Sequence, residues 1–138
     1  MSPSVNHSYI QIALGAALFN LKEYSVYAEL SIELEGKEYI PDISVYPKQK
    51  LSPTHDIIRM TEIPLMVVEI LSSSQIVQEL TEKFEIYLNT GVKSCWLVTP
   101  VTRSITVFCE IDKPQTFVDK VIDNKLNIEL SLDDIFPF

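Results

Sequence analysis

The period of the apolar positions changes along the chain, and each change marks an element. Ile10, Leu14, Ala17, Leu18 and Leu21 recur at i, i+4, i+7, i+8 and i+11, which predicts a helix of about 15 residues with one buried face. Ser8-Tyr9-Ile10-Gln11 has the form of a capping box and sets the expected start. From Val26 the period becomes two: Ala28, Leu30, Ile32 and Leu34 alternate with Tyr27, Glu29, Ser31 and Glu33, as in a strand with one buried face. Glu35-Gly36-Lys37 turns the chain, and residues 39–46 (YIPDISVY) form the returning strand of a hairpin.

Residues 47–64 carry three prolines and read as a long loop with a short helical turn around 56–60. Residues 65–71 (LMVVEIL) are apolar on both faces apart from one Glu, the pattern of a central strand. A helix over 76–89 follows, closed by Thr90-Gly91, then strands over 94–99 and 104–109, a weaker strand over 116–121, and a capped helical turn at 131–136. The order α-β-β-β-α-β-β predicts a single α/β domain over 1–138, built on one mixed sheet.

Composition narrows the function. Nineteen acidic residues against 11 basic ones give a net charge of −8, which opposes tight non-specific nucleic-acid binding but not a site whose carboxylates hold a cation. Two cysteines, Cys95 and Cys109, lie outside any Cys-x-x-Cys or Cys/His cluster, which argues against zinc or a disulfide framework. No apolar run is long enough for a membrane span, and no cationic segment precedes the first apolar stretch, so the expectation is a cytoplasmic protein.

Glu69 is the most informative position, because a carboxylate in a doubly buried strand is unfavourable unless paired or metal-bound. Asp42 lies in the returning strand of the hairpin. If Glu35-Gly36 is a two-residue loop, paired numbers sum to 71 and Glu29 falls opposite Asp42; a four-residue loop shifts the pairing by two and keeps both on one face. With Glu69, these carboxylates could converge on a hard cation. On a wheel with Ile76 at the origin, Lys83 falls at about −20°, beside Tyr87 at about 20° and Leu80 at about 40°, so it is expected to face the sheet. His7 and His55, without nucleophile partners, read as capping or surface residues.

Asn6-His7, YIPDISVY (39–46), VVEILS (67–72), KFEIY (83–87), GVKSCWLVTP (91–100) and LDDIF (132–136), in this order and spacing, resemble the Uma-type proteins. These form a branch, abundant in bacteria, of the PD-(D/E)XK nuclease superfamily. The resemblance implies a restriction endonuclease-like fold, a single mixed sheet flanked by helices, and a Mg²⁺- or Mn²⁺-dependent DNA endonuclease. Asp42 and Glu69 match the metal-binding acidic residues. Leu71 stands where the superfamily usually has lysine, and the helical Lys83 matches the residue that takes its place. Glu79 and Thr99 stand where the family usually has Asp, and an N-terminal segment carried by many relatives is expected to be absent. Glu29 is an additional acidic candidate, and Lys48, Lys50 and Arg59 in the long loop are candidate DNA contacts bordering the cleft. The competing expectation is a catalytically silent nuclease-like domain that binds a partner or a second copy of itself.

Overall fold

The predicted hairpin forms, but it is broken across both strands at one level, and that break shapes the site. The computed structural model describes residues 3–138. Met1 and Ser2, part of the stretch read above for a signal, lie outside the described residues. Strand β1 (Tyr24–Ala28) pairs antiparallel with β4 (Ile43–Pro47), while β2 (Ile32–Leu34) and β3 (Lys37–Tyr39) form a separate two-stranded ribbon. The two-residue loop is the one adopted: Leu34 pairs with Lys37 and Tyr24 with Pro47, so one register runs through both halves. Between them Glu29 adopts a left-handed conformation (φ 51°) and Pro41 removes a backbone donor. The alternation was continuous in sequence, but the strands are not.

Helix α1 (Val5–Phe19) starts four residues earlier than the capping box suggested. Ser4 caps it, its side chain accepting the His7 amide at 3.1 Å, and Ser8 lies inside the helix. Strand β5 (Met66–Ile70) and helix α2 (Val77–Thr90) lie within a residue of their expected places, and Gly91 closes α2 in the left-handed conformation at φ 115°. Beyond β6 (Ser94–Thr99) and β7 (Ser104–Phe108), the weak strand resolves into β8 (Gln115–Phe117) and β9 (Lys120–Asp123). A further strand, β10 (Ile128–Ser131), pairs with β9 and had no sequence prediction. The terminal turn is a 3-10 helix, Leu132–Asp134, capped by Ser131. The turn expected around 56–60 is not helical; Met60 instead bridges to Ile32.

The main sheet runs β1-β4-β5-β6-β7-β8, with β5 and β6 parallel and the other pairs antiparallel. Alternation along β5 divides the core. Met66, Val68 and Ile70 join Ile10, Leu14 and Leu18 of α1, while Val67 joins Leu80, Phe84 and Tyr87 of α2. Each face of this mixed α/β sheet is therefore covered by one helix. Among the described residues no helix is long and apolar enough to cross a membrane.

Candidate functional site

Asp42 stands where the hairpin breaks, immediately before β4, and Glu69 sits near the carboxyl end of β5 on the neighbouring strand. They are tied through the backbone. The Asp42 amide donates to Glu69 Oε1 at 3.3 Å, and the Ile70 amide donates to Asp42 Oδ2 at 2.7 Å. Glu69 is only 5% exposed. Burial first and the Asp42 charge second push its carboxyl up to about 7, while Lys83, the Asp42 amide and the Tyr87 hydroxyl pull the other way.

Both carboxylates open into a cleft of about 490 Å³, lined also by His7, Glu29, Ser72, Gln75 and Lys83. It lies beyond the carboxyl end of β5, where β5 runs parallel to β6 and α2 crosses between them. Gln75 Oε1 accepts the Ser72 amide at 3.1 Å and fixes the loop that enters α2. Lys83 reaches the cleft but is exposed. The wheel placed it under the helix because Ile76 served as its origin; Ile76 is itself 57% exposed, and the buried stripe is Leu80, Phe84 and Tyr87, which leaves Lys83 on the rim.

Glu29 lines the cleft, and its amide donates to the Asp42 carbonyl at 3.2 Å, directly opposite as the register requires. None of the residues of the long loop lines this cleft, which was expected to be bordered by it. Lys48 follows the other end of β4, with Nζ 5.9 Å from the centre of the Phe19 ring at the far end of α1. Lys50 is exposed in the segment beyond it. Arg59 is engaged by Glu33 at 3.6 Å and Glu38 at 3.3 Å on the β2–β3 ribbon. A larger, mostly apolar groove of about 730 Å³ between α1 and β1 has no converging carboxylates.

His7 was read from sequence as a cap or surface residue, yet its Nε2 lies 3.2 Å from Asp42 Oδ2 and its side chain is mostly buried. The signal that could have found it is its spacing. With Ser4 as cap, His7 and Gln11 share a helix face, and Gln11 Nε2 donates to the Asp42 carbonyl at 2.9 Å.

Among the described residues no group of three or more His, Cys, Asp or Glu side chains gathers into a metal cage. Two carboxylates at the floor of an open cleft instead suit Mg²⁺ or Mn²⁺, since Mg²⁺ takes one or two carboxylates and completes its shell with waters and substrate phosphates.

A family model described as "Uma2: Putative restriction endonuclease" matches residues 1–137. No curated protein matches the chain significantly. Among solved structures, a "putative nuclease belonging to DUF820" from Anabaena variabilis ATCC 29413 is similar over 99% of this chain and 83% of that one, with a TM-score of 0.84 and 21% identity. At that identity the likeness speaks for the fold.

Proposed function

The chain belongs to the Uma2 family, and from that premise we propose that it is a metal-dependent endonuclease hydrolysing phosphodiester bonds in DNA. Family and fold both support a nuclease. The observation that carries the finer reading is the backbone-linked pair of Asp42 and Glu69 in an open cleft. Asp42 and Glu69 would hold Mg²⁺ or Mn²⁺. When bound, the ion supplies Lewis acidity toward the scissile phosphate and lowers the pKa of a water. The burial that raises the Glu69 pKa also keeps competing water from one side of the pair. Lys83, on the rim and in no ion pair among the described residues, would meet a phosphate or orient the attacking water. Glu29 adds negative charge at the cleft wall and holds the Asp42 carbonyl. The setting we assign is a bacterial cytoplasm, where Cys95 and Cys109 stay as thiols.

The test is cleavage of plasmid and single-stranded DNA by wild type, Asp42→Asn and Glu69→Gln, with and without EDTA. Activity in the wild type alone, abolished by EDTA, is the expected result. Equal activity in wild type and Glu69→Gln would identify a contaminating nuclease. No cleavage by any of them would favour the second reading, a silent nuclease-like domain that binds a partner or a second copy, which the net charge of −8 supports.

A further inference from the structure

We propose that His7, with Gln11 one helical turn further on, is a positioning residue that clamps Asp42 from α1 so that Oδ1 is the oxygen presented to the cation. The inference rests on the metal-binding reading of Asp42 and Glu69 and adds a third element of the fold to it.

Asp42 Oδ2 is held twice: the Ile70 amide donates to it at 2.7 Å, and His7 Nε2 lies 3.2 Å away. No described residue donates to Oδ1. The carboxylate is thereby divided into one oxygen spent on the protein and one left for a ligand. Gln11 secures the main chain of the same residue, its Nε2 donating to the Asp42 carbonyl at 2.9 Å and to Glu29 Oε2 at 3.3 Å. Helix capping does not account for the imidazole, because the Ser4 side chain meets the His7 amide and leaves the ring free. The ring makes one polar contact, to Asp42, and its Nδ1 is buried with no hydrogen-bond partner among the described residues.

Mn²⁺ binding by calorimetry, paired with thermal melting, tests the clamp on wild type, His7→Phe and His7→Gln. Phe fills the space without a donor, and Gln offers an amide Nε2 toward the same oxygen. Mn²⁺ affinity is expected to fall about 10- to 100-fold in His7→Phe and to recover most of that loss in His7→Gln, with both variants folded. Wild-type affinity in His7→Phe overturns the clamp, as does an equal loss in His7→Gln. A folded wild type that binds no Mn²⁺ overturns the metal-binding reading itself, and the clamp with it. Should His7→Phe fail to fold, Gln11→Ala takes its place, with a smaller loss of Mn²⁺ affinity supporting the clamp and wild-type affinity overturning it.

Discussion

Asp42 and Glu69 are joined by exchange between strands: the Asp42 amide reaches Glu69 Oε1 at 3.3 Å, and the amide following Glu69, that of Ile70, reaches Asp42 Oδ2 at 2.7 Å. Neither carboxylate can swing away without breaking a bond to the other's strand. The acidic part of the cleft is tied into the sheet by these bonds, whereas Lys83 extends from an exposed position on α2.

The Glu69 carboxyl, pushed up to about 7, makes stability depend on pH. An unfolded Glu titrates near 4.3, so between these values the folded protein holds more protons than the unfolded one, and stability falls as pH rises through the window. Wild type is expected to lose a few kcal/mol relative to Glu69→Gln between pH 4 and pH 8, measured by urea unfolding. Curves that stay parallel across that range would contradict the assignment.

Lys83 lowers the Glu69 pKa across the cleft. In Lys83→Met the Glu69 carboxyl should therefore titrate higher still, and DNA cleavage should disappear although Mn²⁺ continues to bind at pH 8. Carbon-13 titration of the Glu69 carboxyl checks the first part. An unchanged midpoint would mean that the lysine does not act on the site.

Away from the cleft, Trp96 Nε1 donates to buried Asp123 Oδ2 at 2.8 Å, and Asp123 Oδ1 accepts the Leu126 amide at 3.0 Å. Asp123→Ala leaves the buried indole and amide without acceptors and should destabilise the fold by about 2–4 kcal/mol, followed by Trp96 fluorescence in urea. Mn²⁺ affinity should not change, which separates this fold anchor from the site.

Gly91 closes α2 at φ 115°, a conformation that an L side chain resists. An added Cβ would meet Ile63 only at ordinary contact distance, 3.6 Å. Gly91→Ala should therefore cost about 1–2 kcal/mol from backbone conformation alone, with chemical denaturation as the measurement. A much larger loss would point to a packing role for the glycine.

Local patterns were legible wherever one period governed a whole element. The central strand announced itself through MVVEI and α2 through Leu80, Phe84 and Tyr87, while the hairpin register stayed open between a two-residue and a four-residue loop until the structure paired Leu34 with Lys37. The break at Glu29 and Pro41 was hidden because alternation continued across it, and β10 because its short run holds one fully buried residue, Ile128. Arg59 looked available as a DNA contact until the ribbon's Glu33 and Glu38 folded beside it. His7 was missed for a related reason: its partner lies 35 positions along the chain, and only the packing of α1 on the sheet brings them together.

Helix α1 contains no Asp, Glu, Lys or Arg, and it is seated on the sheet by Ile10, Leu14 and Leu18. That apolar seat involves no Coulomb attraction between side chains, the His7–Asp42 contact lying outside it, so raising ionic strength does not weaken it and, by strengthening apolar burial in kosmotropic salts, tightens it. The part of the cleft wall that α1 contributes thus survives concentrations of salt that screen the approach of a polyanion to Lys83. On the proposed nuclease reading, a salt titration of this protein would consequently read the encounter with DNA, not the assembly of the place where DNA is met.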